Sequence, residues 1–113
     1  MTTPDPKNIA LQFNECINQR DIDGLAQLMT DDHVFIDTAD HALEGKQPCL
    51  AGWQDFFRAF PDYKNIFETV KVKDTFVMIT GHSTCSDQRL EGPARWTAKI
   101  RDGKVAAWRV YED

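Results

Sequence analysis

Three consecutive runs in the last third of the chain decide its fold: Thr75–Cys85 (TFVMITGHSTC), Gly92–Arg101 (GPARWTAKIR) and Lys104–Tyr111 (KVAAWRVY). All three are rich in β-branched and aromatic residues, and apolar and polar positions alternate along the last two. Asp102-Gly103 joins the last two runs, and this dipeptide accepts the positive φ angles of a tight hairpin turn. Because the first half of the chain has helical patterns, we predict an α+β domain with an antiparallel sheet covered on one face.

Three helices are predicted ahead of these strands. The first begins at Pro4-Asp5-Pro6, because Asp is a good cap and Pro suits a first turn. Asp21 caps a second, short helix, and Thr30-Asp31-Asp32 ends it in a turn. The third helix spans roughly Lys46–Ala59, where large apolar residues recur every 3.6 positions and Pro61 follows.

Two further strands are predicted by composition, His33–Thr38 and Asn65–Lys73. Because side chains alternate along a strand, Phe35 and Asp37 share one side of the first of these. In the Thr75–Cys85 strand, His82 shares a face with four other side chains: Phe76, Met78, Thr80 and Thr84. We expect both strands to contribute side chains to the site of function.

Composition limits the classes of function. At 113 residues we expect a single domain over residues 1–113, with one core. The net charge is −5 and the basic residues are scattered, which argues against a nucleic-acid partner because phosphate binding needs clustered cations. No stretch approaches the roughly 20 apolar residues of a membrane span, and Met1–Pro6 lacks the apolar run of a signal peptide. We therefore expect a cytoplasmic protein with no membrane partner.

Motifs for metal, nucleophilic or cofactor chemistry are absent from the sequence. Cys16, Cys49 and Cys85 form no CxxC pair, and their odd number indicates reduced, buried thiols. The three histidines show no HxH, HxxxH or HExxH spacing, so we predict no metal site. There is also no GxSxG, phosphate-binding loop or dinucleotide fingerprint, so we predict no cofactor. We interpret His33, at the start of its strand, and His41, in a polar turn, as residues in contact with solvent.

The order helix, helix, strand, helix and four antiparallel strands resembles the cone-shaped nuclear transport factor 2-like fold. Asn18–Leu25 (NQRDIDGL) resembles a helix junction of ketosteroid-isomerase-like members, and the strand ending at Asp37 continues the match. Ala59-Phe60-Pro61-Asp62 resembles the segment after the third helix of SnoaL-like polyketide cyclases, and Asp102–Tyr111 resembles their last strand pair. The resemblance implies a curved sheet whose concave face, closed by helices, holds a mostly apolar ligand pocket.

The resemblance also implies a mixed set of catalytic positions. Asp37 stands at the position of the isomerase's general base. Phe13 replaces a Tyr that donates a hydrogen bond to the substrate, and Trp96 replaces the second acid. Each missing donor costs roughly 10²–10³ in rate, so the sequence argues against steroid isomerisation by that mechanism. His82 is the remaining candidate for a catalytic donor.

Less specific interpretations of the two candidate catalytic residues stay open. Asp37 either takes a proton in the pocket, accepts a hydrogen bond from a ligand hydroxyl or amine, or caps the turn Thr38–Asp40 through backbone N–H groups. His82 is either an acid/base group or a core histidine satisfied by Thr80 or Thr84.

Large aromatic and apolar residues are the candidates for the pocket wall. Six are proposed as ligand-pocket residues: Phe13, Phe35, Trp53, Phe57, Trp96 and Trp108. Helical spacing equally fits plain core packing, and Trp96 is large enough to fill the cavity. The hypothesis is a protein that binds a small apolar ligand, a cofactor-free isomerase or cyclase acting on an apolar carbonyl compound if it is an enzyme. The alternative is a non-catalytic ligand-binding or dimerisation module.

The last two strands place a second set of side chains on the opposite face of the sheet: Arg95, Thr97, Lys99, Ala107, Arg109 and Tyr111. Long polar stems mixed with an aromatic ring suit either solvent or packing against a second copy. Proteins of the resembled family commonly pair through this face, so the resemblance implies a homodimer.

Overall fold

The computed structural model describes residues 5–112, and its helices and strands follow the predicted order except for one additional short strand before the third helix. They are α1 (Pro6–Gln19), α2 (Ile22–Leu28), β1 (Met29–Ile36), β2 (Ala42–Glu44), α3 (Lys46–Ala59), β3 (Lys64–Lys73), β4 (Phe76–Thr84), a 3-10 turn (Gln88–Leu90), β5 (Gly92–Arg101) and β6 (Lys104–Glu112). The predicted α+β class is therefore confirmed. No helix in the described part of the chain is long and apolar enough to cross a membrane.

The helix ends follow from local hydrogen bonding. The Asp5 carboxylate accepts a hydrogen bond from the backbone N–H of Lys7 at 3.0 Å and so caps α1. Pro4, part of the predicted start, lies outside the described residues. Asp21 caps α2 in the same way, accepting from the Gly24 N–H at 2.9 Å. The third helix has the predicted bounds, and its apolar stripe buries Cys49, Trp53 and Phe57.

The six strands form one sheet in the order β2-β1-β6-β5-β4-β3, so β2 and β3 are its edges. Neighbouring strands are antiparallel with one exception, the parallel pair β1 and β6. The sheet is therefore mixed rather than purely antiparallel. Parallel neighbours need a long connection, and here the chain runs through α3 and four strands before β6 returns beside β1.

The first strand begins earlier than predicted. Thr30-Asp31-Asp32 was expected to form a turn, and this prediction was wrong, because these residues belong to β1. They lie in the register irregularity between the Met29–Val105 and Val34–Ala107 pairs, and these flanking pairs with β6 keep the polar segment in the strand. His33 is consequently fully buried rather than in contact with solvent, and its Nδ1 lies 2.7 Å from the carbonyl oxygen of Val105.

The β4 strand has one buried and one outward face. The buried face carries Val77, Ile79, Gly81 and Ser83, and the outward face carries Phe76, Met78, Thr80 and His82. Opposite Gly81 the register with β3 shifts between Phe67 and Thr69. A Cβ atom on Gly81 would lie 2.0 Å from the backbone oxygen of Ile66, so only glycine allows the two strands to approach this closely.

Five rings fill the space between α1 and the middle of the sheet: Phe13, His33, Phe67, Trp96 and Trp108. We refer to this set as the inner core. The rings of Phe13 and Trp108 lie 4.7 Å apart between centroids, and those of Phe67 and Trp96 lie 5.2 Å apart. Trp96 and Trp108 are almost completely buried. The two indoles and their neighbours therefore pack this part of the fold without a ligand-sized space.

Candidate functional site

A cavity of about 310 Å³ opens beside the inner core, between α3, the loop after β1, the 3-10 turn and β6. It is lined by Phe35, Asp37, Thr38, Leu43, Cys49, Gly52, Trp53, Phe56, Tyr63, Leu90 and Val110. This volume lies at the lower end of the roughly 300–1,000 Å³ that small-molecule sites occupy. The cavity is therefore sized for a small ligand.

Aromatic rings in edge-to-face contact form much of the wall. Trp53 meets Phe35 at 5.4 Å between ring centroids and Phe56 at 5.8 Å, and Phe56 meets Tyr63 at 4.9 Å. Helical geometry brings residues three or four apart to one side, so α3 presents Cys49, Trp53 and Phe56 to the same space. These contacts hold the rings in place around the cavity.

Gly52 contributes open space to the α3 side of the cavity. A Cβ atom at this position would meet only the end of the Leu43 side chain, at 3.3 Å. Because Gly52 has no side chain, part of the volume between α3 and β2 stays empty. Gly52 was not predicted as a site residue, since a glycine within a helical pattern gives no sign of what it faces.

Asp37 lies at the cavity edge, directly after β1, and it is held by a turn. Its Oδ1 accepts hydrogen bonds from the backbone N–H groups of Ala39 at 2.9 Å and His41 at 3.0 Å. Its Oδ2 lies 3.7 Å from Nδ1 of His41, and the side chain is 43% exposed. Both interpretations of Asp37 thus have structural support, because the residue caps the turn and also lines the cavity.

His82 lies on the other face of the sheet from the cavity. Its Nδ1 is 3.2 Å from Oε1 of Glu68, and its side chain is 41% exposed. Phe76 and Met78, which suggested an inward face, are themselves about 40% exposed. The expectation that His82 meets Asp37 in one pocket is corrected, because strand alternation sends His82 outward.

The six predicted pocket residues divide between two regions. Phe35 and Trp53 line the cavity. Phe13, Trp96 and Trp108 belong to the inner core, and Phe57 is buried in the core behind Trp53, with their rings 5.6 Å apart. Trp96 stands where the resembled enzymes have an acid, and its large side chain fills the interior instead of lining the cavity.

Tyr63 is a polar lining residue held by a hydrogen-bond network, and the sequence analysis did not predict it. Its hydroxyl lies 3.1 Å from Oγ of Ser83, whose own hydroxyl donates to Oδ1 of Asn65 at 3.0 Å. The backbone of Asn65 is in turn held by Asn18, through hydrogen bonds of 2.8 and 2.9 Å. This network fixes one wall of the cavity to α1. No sequence pattern pointed to Tyr63, because it follows a turn outside any periodic segment.

The remaining polar groups do not add a nucleophile or a metal site. The Cys49 thiol donates to the carbonyl oxygen of Leu43 at 3.2 Å, and burial raises its pKa, so it stays protonated. Burial likewise raises the pKa of the Tyr63 phenol. Within residues 5–112, no group of three or more His, Cys, Asp or Glu side chains is placed to hold a metal ion.

Comparison with known proteins identifies relatives of this fold. Residues 10–108 match the model of the SnoaL-like domain family. A candidate SnoaL-like polyketide cyclase from Shewanella denitrificans superposes with a TM-score of 0.84 at 18% identity, over 96% of this chain and 90% of that one. A candidate ketosteroid isomerase from Kribbella flavida gives a TM-score of 0.81 at 15% identity, over 94% and 76% of the two chains.

An epoxide hydrolase of M. tuberculosis, similar to LEH, shares the fold as well. Its TM-score is 0.82 at 13% identity, and the match covers 96% of this chain and 82% of that one. No match was found among curated proteins. At these identities the structural matches establish the nuclear transport factor 2-like fold. They do not establish an activity, which must be argued from the residues of the site.

Proposed function

Because this chain belongs to the SnoaL-like domain family, we propose that it binds a small, largely apolar ligand in the cavity beside the inner core. The observation that carries this proposal is the cavity itself, about 310 Å³ with walls of packed aromatic rings. A ligand that fills this space removes apolar surface from water, which is the main source of binding energy in such sites.

Fluorescence titration with a neutral apolar probe, N-phenyl-1-naphthylamine, tests this proposal. The emission of the probe rises when it enters an apolar site, so its saturation gives the affinity, and variants that change the cavity test whether the probe binds there. Gly52→Leu places a bulky side chain in the empty volume and is expected to weaken binding at least about tenfold. Ala51→Leu, on the exposed side of the same helix, is the matched control and leaves affinity unchanged.

Two results would overturn the proposal. One is the absence of saturable probe binding to the wild-type protein. The other is equal affinity in Gly52→Leu and the wild type, because the probe would then be bound elsewhere. Circular dichroism of both variants establishes that they are folded.

Acid/base catalysis is a second candidate function, and Asp37 is the observation that favours it. The carboxylate lines the cavity, and its Oδ2 is not engaged by the two turn N–H groups. Exchange of the α-protons of cyclohexanone in D₂O, followed by NMR, tests this candidate. Catalysis predicts exchange faster than in buffer and its loss in Asp37→Asn, while a pure binding protein gives the buffer rate.

We further propose that the outward sheet face pairs two copies of the chain. Arg109 stacks over the Tyr111 ring, with the guanidinium carbon 4.7 Å from the ring centroid. Phe76 and Met78 add exposed apolar surface on the same side of the sheet. We expect a dimer mass by light scattering at micromolar concentration and a smaller mass for Met78→Lys. A monomer mass for the wild type would contradict the pairing.

A further inference from the structure

We propose that the cavity selects ligands that donate hydrogen bonds, namely alcohols and amines, over ketones and carboxylates. This selectivity rests on the ligand-binding role proposed above. It follows because the side-chain donor hydrogens of the lining residues Cys49 and Tyr63 are already bonded to acceptors within the protein. Four lining residues have polar side chains: Asp37, Thr38, Cys49 and Tyr63.

The hydroxyl of Tyr63 has its hydrogen committed to a protein partner. Oδ1 of Asn65 is an acceptor, so the single hydrogen of the Ser83 hydroxyl points to it across 3.0 Å. Oγ of Ser83 is then left as the acceptor in its 3.1 Å contact with Tyr63, and the phenol must donate there. A ligand that reaches the Tyr63 oxygen finds lone pairs and no hydrogen.

Two other lining residues offer no donor either. The Cys49 thiol hydrogen is directed to the carbonyl oxygen of Leu43 at 3.2 Å. The Asp37 carboxylate has only acceptor atoms; Oδ2 accepts from neither turn N–H group, and Nδ1 of His41 lies 3.7 Å from it. Among the lining side chains, the Thr38 hydroxyl alone both donates and accepts. None of the lining residues is Lys, Arg or His.

A lining of acceptors beside one negative charge has a chemical consequence. An alcohol or an ammonium group places its hydrogens on these lone pairs, and an ammonium group also meets the charge of Asp37. A ketone brings only acceptors, so its oxygen is desolvated with few partners. A carboxylate adds a second negative charge next to Asp37. The apolar carbonyl compound expected from the sequence is therefore a poor fit for this cavity.

Four ligands that share one six-membered ring test the preference on the intact protein: cyclohexanol, cyclohexylamine, cyclohexanone and cyclohexanecarboxylate. Their dissociation constants are measured at pH 7 by chemical-shift titration. We expect the alcohol and the amine to bind at least about fivefold more tightly than the ketone and the carboxylate, as one hydrogen bond is worth. Equal binding of ketone and alcohol, or tightest binding of the carboxylate, would overturn the preference and leave the ligand-binding role standing. No saturable binding of any of them would overturn both.

Variants assign the preference to named atoms. Tyr63→Phe removes one acceptor, so the advantage of cyclohexanol over cyclohexanone is expected to shrink about threefold or more. Asp37→Asn removes the charge and should weaken cyclohexylamine selectively. Asp40→Asn is the charge-matched control, because Asp40 is an exposed acid of the same turn and neither it nor its ion-pair partner Arg109 lines the cavity. Equal effects of the two Asn variants on cyclohexylamine would contradict the role of Asp37.

Discussion

The inner core and the cavity are both built from aromatic rings, yet one is filled and the other is open. In the inner core, α1 lies across the sheet and Phe13 closes directly onto Trp108. At the cavity, the covering elements are α3, the three-residue β2 and a short 3-10 turn, and Gly52 adds no side chain. The difference shows that aromatic content alone does not make a pocket. The elements that cover the rings decide whether space remains.

The largest expected difference is in the stability lost when one tryptophan is replaced in the inner core and one at the cavity. Trp108→Ala removes a fully buried ring from the inner core and is expected to lower the free energy of unfolding by about 3–5 kcal/mol. Trp53→Ala is expected to cost less, because part of that ring borders the cavity rather than other atoms. Urea denaturation measures both values. Equal losses would show that the two regions are packed alike.

We expect the inner core to make the folded protein less stable at low pH. Nδ1 of His33 donates to Val105, and Nε2 is buried with no partner among the described residues. Burial lowers the pKa of His33 below its ordinary 6.5, and the Val105 carbonyl offsets this in part. Above pH 6.5 the ring is neutral in both folded and unfolded chains. Below pH 6.5, His33 binds a proton in the unfolded chain but not in the folded protein, so the free energy of unfolding falls.

Urea denaturation at pH 7.5 and pH 5.5 measures this loss. It amounts to at most about 1.4 kcal/mol for each pH unit between 6.5 and the lowered pKa. His33→Gln removes the titrating group and is expected to flatten the dependence. His41→Gln, in an exposed turn, is the control and keeps it. Parallel curves for the wild type and His33→Gln would assign the acid sensitivity to other groups.

The smallest expected effect is that of a substitution at the cavity, which should raise stability and weaken binding. Gly52→Ala adds helix propensity worth up to about 1 kcal/mol, and its methyl group meets only the flexible end of Leu43. The variant should therefore be slightly more stable, while binding N-phenyl-1-naphthylamine several-fold more weakly. Thermal denaturation and fluorescence titration measure the two changes. Lower stability with unchanged affinity would place Gly52 in a packed region.

Sequence patterns predicted the elements best where local and tertiary preferences agree. The apolar stripe of α3 gave its bounds, and the Asp caps placed the starts of α1 and α2. The pattern failed at Thr30-Asp31-Asp32, where pairing of the flanking Met29 and Val34 with β6 outweighs turn-forming composition. It also missed β2, whose three exposed residues carry no strand signal and pair only because β1 lies beside them.

The site was predicted only in part, for a related reason. Phe35, Asp37 and Trp53 do line the cavity, since alternation and helical spacing put them on inward faces, and their role in binding or catalysis stays a prediction. His82 was misplaced, since both faces of β4 carry apolar residues and composition does not say which one meets the helices. Tyr63 depends on a network through Ser83 that joins separate segments of the chain, and no local pattern contains that information.

The edge strand β3 has a consequence for growth of the sheet. An unpaired edge invites strands from other molecules, and long apolar edges promote aggregation. Here the edge carries exposed lysines at positions 64, 71 and 73 and an exposed Glu68. Docking another strand at β3 would bury these charges, so they oppose the addition of a strand at this edge and, with it, aggregation through β3.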